Sequence, residues 1–378
     1  MIAGIVFGFV PLAIWLYMLL LRRGFWLLRE RDTMPVAAPS EWPSVVAVVP
    51  ARNEADVIQQ SIGSLLAQDY PGSFHIVLVD DLSDDGTADL ARGLGSDRLS
   101  VLSGSARPPG WTGKLWAMSQ GSDHAATFAP EFIWFTDADI AHSTDNLRQL
   151  VSRAQSGQQV LVSLMARLHC RSAAEHFLIP AFVFFFDMLF PFGAVNDPRS
   201  AIAAAAGGCM LARRRALEKA GGIAAIHHNI IDDCALGRAL KAQGPVWLGL
   251  TDRAVSLRPY PHISDIRHMV TRTAYAQLGY SPLVLAGTLL GLVMVYLAPV
   301  MTALFAWGIS QLAGWLAWII MAVMFQPILR FYRLSPLWGL ALPLIGVFYA
   351  AFTLESAFLH WAGKGGMWKG RAQAQERA

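Results

Sequence analysis

Phe132-Ile133-Trp134-Phe135-Thr136-Asp137-Ala138-Asp139 is the stretch on which the reading of this chain turns. An unbroken run of aromatic and β-branched residues, too short for a helix, ends in two aspartates one residue apart. Such a run reads as a strand buried on both faces. The aspartates then lie just past its carboxyl end, where open α/β sheets bind ligands. Two carboxylates so close repel each other unless a cation lies between them. Oxygen ligands of this kind suit Mg²⁺ or Mn²⁺ carrying substrate phosphates. A solvated turn with an Asx cap before the next helix is the plainer account of Asp-x-Asp, so the pair has to be weighed with its neighbours.

Working outward, the same texture repeats on both sides. Val45-Val46-Ala47-Val48-Val49, Ile76-Val77-Leu78-Val79, Val101-Leu102 and residues 160–164 read as strands. Residues 55–68, 87–94, 115–126 and 146–154 have helical periodicity. Strands alternating with helices predict a parallel sheet covered on both faces.

Polar motifs follow these strands. Pro50-Ala51-Arg52-Asn53-Glu54 comes after the first, and Asp80-Asp81-Leu82-Ser83-Asp84-Asp85-Gly86-Thr87 after the second. Together with Asp137 and Asp139 they are expected at one edge of the sheet. Asp81 can accept from a base N–H or a ribose hydroxyl, whereas Ser83 and Asp84 suit turn and cap chemistry. Gly110-Trp111-Thr112-Gly113-Lys114 opens a helix and offers backbone N–H groups and a cation to phosphate, although a lysine there is also compatible with plain solvation. It is not a Walker A loop. Gly207-Gly208 suggests a wall that backbone can share closely with a ligand. Ile231-Asp232-Asp233 precedes a helix: one carboxylate can cap it and the other can act as a general base. Arg267, His268 and Arg272 can face a diphosphate or lipid phosphates. No Gly-x-Ser-x-Gly elbow, His-Glu-x-x-His helix or dinucleotide glycine fingerprint competes.

Composition sets the surroundings. The chain has 378 residues, 54% hydrophobic and 15% charged, which is too apolar for an ordinary soluble enzyme. A net charge of +3 does not argue for nucleic acid. Cys170, Cys209 and Cys234 show no metal-ligand spacing and read as reduced thiols. Residues 2–21 are apolar without a charge and long enough to cross a bilayer. Arg22, Arg23, Arg29 and Arg31 follow, so the positive-inside rule puts the next domain in the cytoplasm. A Pro/Ala/Ser linker, 35–43, leads into that domain. Residues 177–192 carry seven of the twenty phenylalanines; judged too short to span, they read as an interfacial helix or as a core helix of the soluble domain. Three long apolar segments follow, 282–307, 312–331 and 337–359. Basic residues on both sides leave the number of crossings open, and 337–359, with Pro343 and Glu355, is the segment to suspect of a re-entrant or interfacial course. The expected organisation is an anchor over 1–24, a catalytic domain over 44–280, membrane segments over 281–361 and a basic tail over 362–378.

The ordered motifs Pro50 to Glu54, Val79-Asp80-Asp81 to Thr87, Gly113-Lys114, Asp137-x-Asp139, Gly207-Gly208 to Arg214 and Asp232-Asp233 resemble the inverting family 2 glycosyltransferases of GT-A fold. The membrane layout resembles their ceramide glucosyltransferase-like branch. Trp111-Thr112-Gly113-Lys114-Leu115-Trp116-Ala117, Pro180 to Phe186 and Val195-Asn196-Asp197-Pro198-Arg199-Ser200 look like the bacterial hopene-associated glycosyltransferases. The resemblance implies a GT-A sheet, mixed but mainly parallel, in a multi-pass protein of the bacterial inner membrane with its catalytic domain in the cytoplasm. It implies that Ala51, Glu54 and Asp81 contact uridine, that Lys114 and Asp137 serve the donor, and that Asp139, helped by Asp137, holds Mg²⁺ or Mn²⁺. Asp233 takes the place of the base, with Asp232 as rival because the family's Thr-Glu-Asp-type motif is Ile-Asp-Asp here. Gly207, Gly208, Arg267 and Arg272 fall on the acceptor or diphosphate side. The family's Gln/Arg-x-x-Arg-Trp motif is absent in that form, which speaks against processive polymer synthesis. The implied reaction moves a sugar from a nucleotide-sugar, a UDP-sugar, to a lipid hydroxyl such as that of a hopanoid. Transfer to polyprenyl phosphate, or a non-catalytic membrane protein with a degenerate nucleotide fold, are the other readings.

Overall fold

The computed structural model describes residues 2–34, 36–368 and 371–372. Pro35 of the expected linker, and Lys369 and residues 373–378 of the expected tail, lie outside the described residues. The chain divides into two compact units. One comprises Glu30–His169, Ala194–Pro259 and Met367–Ala378; the other comprises Met1–Arg29, Cys170–Gly193 and Tyr260–Gly366.

The first unit is built on a sheet of β1 (Val45–Ala51), β2 (Phe74–Asp80), β3 (Leu99–Ser103), β4 (Phe132–Phe135), β5 (Ile140–His142), β6 (Leu161–Arg167), β7 (Met210–Arg213) and β8 (Val246–Ser256). Their spatial order is β3-β2-β1-β4-β7-β6-β8-β5. β1 pairs parallel with β2 and β4, and β2 parallel with β3. β7 lies antiparallel between β4 and β6, β8 runs parallel to β6, and β5 antiparallel to β8. The sheet is therefore mixed, with β1, β2, β3, β4, β6 and β8 all pointing one way. Every residue of β1 and β4 is buried, as continuous apolar runs covered by helices on both faces must be. The segment before the sheet is tied to it as well. Asp32 N–H donates to the Leu250 carbonyl at 2.8 Å and Leu250 N–H to the Glu30 carbonyl at 2.8 Å.

Three strands of this sheet escape the sequence reading, namely β5, β7 and β8. β5 and β7 have three and four residues, below the length at which alternation shows. β8 carries Asp252 and Arg253 within its run.

The second unit is helical. A helix at Ile2–Leu20 carries Pro11. Ala173–Leu189 begins earlier than the phenylalanine count suggests, because Ser172 and Glu175 form a capping box. With that start, Ala173–Val195 is long and apolar enough to cross a membrane, against the expectation that this segment is too short. Pro282–Phe305, Gly308–Phe331 and Pro336–Trp361 also meet that criterion. Leu283, Leu290, Phe305, Trp307, Ile309 and Leu337 are exposed on these segments, as side chains facing lipid would be. Pro299 has no N–H to give the Val295 carbonyl one turn earlier, and the helix passes through a π-turn at Val293–Leu297. The buried Trp15 indole N–H supplies the missing donor at 2.7 Å.

Helix Gly113–Ala126 positions the site. Thr112 caps it, its hydroxyl accepting from Leu115 N–H at 3.3 Å. The helix lies directly on β1 and β2 at Gly121, where an added Cβ would stand 2.5 Å from Val48 Cγ1 and 3.0 Å from Val79 Cγ2. Gly121→Ala is expected to destabilise the protein by about 1–3 kcal/mol through overpacking, despite alanine's better helix propensity. A lowered midpoint in thermal or chemical unfolding checks this; an unchanged or raised midpoint contradicts it.

Candidate active site

The strand directions decide which loops meet. The carboxyl ends of β1, β2, β4 and β8 and the amino end of the antiparallel β7 all lie at one edge of the sheet. That edge receives Ala51 to Glu54, Asp80 and Asp81, Asp137 to Asp139, Arg258, and Gly207 with Gly208.

The first two loops are knitted together. Arg52 donates to the carbonyls of Asp81 and, at 3.0 Å, Leu82, and its guanidinium stands 3.9 Å from the Asp81 carboxylate. Asn53 N–H donates to Ser83 Oγ at 2.9 Å, Glu54 N–H to Thr87 Oγ1 at 2.9 Å and Ala55 N–H to Asp85 Oδ2 at 3.0 Å. Asp81 is fully buried, and its N–H donates to the carbonyl of Ala51 at 2.8 Å. Asn53 and Leu82 hold left-handed backbone, φ 50° and 55°, a conformation that costs a non-glycine residue and is retained where the surroundings impose it.

Lys114 joins the two acidic motifs. Its Nζ lies 2.8 Å from Asp137 Oδ1 and 3.0 Å from Asp232 Oδ2. Asp232 and Asp233 occupy the first turn of helix Asp232–Lys241, where the helix dipole favours negative charge. Asp233 accepts from Gly207 N–H at 3.0 Å and from Cys234 N–H at 2.7 Å. Residue 207 faces both groups: an added Cβ would stand in ordinary contact with Lys114 Nζ at 3.4 Å and Asp233 Oδ2 at 3.5 Å. Burial, reinforced by the neighbouring Asp232 charge, pushes the Asp233 carboxyl up to about 6, against the opposing pull of Lys114 and the two backbone N–H groups. The two carboxylates outweigh burial at Lys114 and hold its ammonium well above the ordinary lysine range.

Arg258 is a component that sequence reasoning missed. It donates through Nε to Asp139 Oδ2 at 2.8 Å, and through Nη2 to both Glu54 oxygens at 2.8 and 2.9 Å. One guanidinium thus spans the first and third loops. The available signal was an arginine just beyond a strand end, visible only once β8 is recognised. A continuous line of contacts and short covalent steps now runs from Asp81 through Arg52, Glu54, Arg258, Asp139, Asp137 and Lys114 to Asp232 and Asp233. Gly208 sits beside Ile140 and Ala166. Arg267 and Arg272 belong to the other compact unit, where Arg267 lies 3.7 Å from Glu355. The arrangement at the sheet edge offers cations that can meet phosphate and a carboxyl poised to take a proton near neutral pH.

Comparison with known proteins bears on the family and the fold. The family described as "Glycosyltransferase like family 2" matches residues 43–269. No curated protein matches the chain. Among solved structures, a mannosyltransferase from Pyrobaculum calidifontis in complex with GDP-Man and Mn²⁺ is similar over 96% of this chain and 98% of its own, at 20% identity and a TM-score of 0.55. A mannosyl-3-phosphoglycerate synthase from Rubrobacter xylanophilus is similar over 63% of this chain and 74% of its own, at 19% identity and a TM-score of 0.39. The fold is GT-A-like, a mixed α/β sheet with long apolar helices in the same chain.

Removing the ammonium that joins the two motifs should be felt at the third carboxyl. Lys114→Met is expected to raise the Asp233 midpoint above about 6, because the charge that opposes the rise is gone. A carboxyl-selective ¹³C NMR titration reads the midpoint, and a fall or no movement contradicts the assignment.

Proposed function

This chain belongs to the glycosyltransferase-like family 2, and on that premise we propose that it transfers a sugar, with inversion, from a UDP-sugar to a hydroxyl of a membrane lipid. The observation that carries this reading is the grouping of Asp233 with Lys114 and Asp137. A carboxyl with a midpoint near 6 stands beside the cation that also meets the strand-end aspartate.

In a single displacement the acceptor oxygen bonds to the anomeric carbon as the bond to the diphosphate oxygen breaks. The electron pair leaves with the nucleoside diphosphate, and the acceptor proton passes to Asp233. Asp232 is the weaker candidate for the base because its carboxylate is paired with Lys114. Asp81, Glu54 and the backbone at Ala51 serve the uridine end of the donor. Lys114 and Arg258 face the diphosphate, and Gly207 and Gly208 leave room for the sugar and acceptor. Arg267 and Arg272, in the helical unit, serve lipid phosphates.

Asp137 and Asp139 are the residues that would hold Mg²⁺ or Mn²⁺. Among the described residues no group of three or more His, Cys, Asp or Glu side chains could hold a metal alone. Two carboxylates at a strand end nevertheless fit these ions, which take one or two protein oxygens and complete their shell with phosphate and water. When bound, the ion supplies charge stabilisation to the departing diphosphate.

The long apolar helices support a lipid acceptor, with the catalytic part facing the cytoplasm of a bacterial inner membrane. The stretches that resemble the hopene-associated glycosyltransferases support a hopanoid polyol. The direct test incubates membranes containing the full chain with labelled UDP-glucose, UDP-N-acetylglucosamine or GDP-mannose and a hopanoid-containing lipid extract, with and without EDTA. Labelled lipid from a UDP-sugar, lost in EDTA, is expected. Product only from GDP-mannose overturns the donor, and product indifferent to EDTA overturns the metal role of Asp137 and Asp139.

Asp233→Asn is expected to lower transfer to a polyol by about 10²–10⁴-fold. Transfer to polyprenyl phosphate, an acceptor that is already an anion, would survive it. In the unaltered protein the base works deprotonated, so kcat/KM should rise as pH climbs through about 6 and level off above. A profile that falls over that interval contradicts Asp233 as the base.

A further inference from the structure

Behind the acidic motifs lies a buried polar chain that the mechanism above leaves unused. Thr136, at the end of β4 and directly before Asp137, is fully enclosed. Its hydroxyl donates to the Gly208 carbonyl at 2.8 Å and lies 2.9 Å from His142 Nε2. His142 Nδ1 lies 3.0 Å from the amide nitrogen of Asn146, which is also fully buried. The hydroxyl also lies 3.5 Å from the Asp137 carbonyl, but Gly208 is much the closer acceptor. With the single hydroxyl hydrogen given to Gly208, the consistent assignment has His142 carry its hydrogen on Nε2 and give it to Thr136, while Nδ1 accepts from Asn146. Burial keeps the imidazole neutral, as this arrangement requires. The ring itself is clamped, with the indole of Trp134 at 4.6 Å edge-on and the His142 N–H on Ser64 Oγ at 3.0 Å.

We infer that Thr136 and His142 are positioning residues that set the distance between the strand-end aspartates and the base Asp233. The link is short. Thr136 holds the carbonyl of Gly208, and the preceding residue, Gly207, holds Asp233 through its N–H. The donor side of the site and its base are thus joined by a buried strut through Thr136, as well as by the more exposed ammonium of Lys114. A hydroxyl inside an apolar core is costly unless bonded, and here its shortest bond ends on the carbonyl of Gly208, next to the residue that holds Asp233. The inference rests on the reading of Asp233 as the base.

The test compares the full chain with Thr136→Val, which keeps the shape and removes the hydroxyl, and Thr136→Ser, which restores it. Three measurements are made: calorimetric binding of UDP with Mn²⁺, transfer to lipid in the donor panel above, and labelling of Asp233 by a carbodiimide, which attacks protonated carboxyls, as pH is varied. Thr136→Val is expected to lower kcat about 100-fold, the scale of a misplacement near 1 Å. UDP affinity and donor KM should stay within about twofold, and the labelling midpoint of Asp233 should rise as the Gly207 bond is weakened. Thr136→Ser should return all three toward the unaltered protein. Should Thr136→Val not fold, His142→Asn, too short to reach Thr136, is expected to give the same split. Unaltered kcat and midpoint in Thr136→Val, or an equal loss in Thr136→Ser, would overturn the strut. If no donor yields product, the proposed function fails, while the labelling midpoint still decides for or against the strut.

Discussion

The Nζ atom of Lys114 lies between Asp137 and Asp232, at 2.8 and 3.0 Å, and its charge offsets the repulsion of the two carboxylates it meets. Repulsion between like charges in close approach near a protein surface is on the order of a few kcal/mol, comparable with a large part of a domain's net stability. The two carboxylates come from a strand end and a helix start far apart in sequence. Lys114 is placed by the packing of its helix, through the Thr112 cap and the contact of Gly121 with Val48 and Val79. Methyl groups in the core therefore set the geometry of charge at the surface.

The same logic recurs with Arg258, which bridges Glu54 and Asp139 from a fourth strand. Acidic residues at the ends of parallel strands are a design problem before they are a binding site. Here each pair is given a basic residue from an element that crosses between them. The bases are a flexible ammonium on one side and a planar guanidinium on the other, and the guanidinium meets Glu54 through Nη2 and Asp139 through Nε, two nitrogens held in one rigid plane.

Much of this was legible in the sequence, for identifiable reasons. β1, β2 and β4 are buried on both faces, so they appear as unbroken apolar runs, and the acidic residues that follow stand out against them. Lys114 was visible because Gly113 precedes it at a helix start. Arg258 was not, because β8 mixes charged residues into its run and gives no hint of where its end lies. β7 was hidden by its brevity, yet it alone explains why Gly207 and Gly208 reach the same edge as Asp137. The earlier start of the Ala173–Leu189 helix follows from a capping box that the phenylalanine pattern obscures. Thr136, His142 and Asn146 were invisible as a group, since hydrogen bonds between neighbouring elements leave no periodic trace.

The indole of Trp15 and the carbonyl of Val295 are 280 residues apart in the chain. That separation makes the contact a constraint on how the helices meet. A donor at the start of the described chain is thus committed to an acceptor that a proline has stripped of its usual partner. An unmatched carbonyl is expensive wherever water is excluded, so the first helix and the kinked one are matched by a polar contact as well as by shape. Closing that contact requires the two helices to be in register, and a slip of either by one turn would leave the indole N–H and the carbonyl without each other.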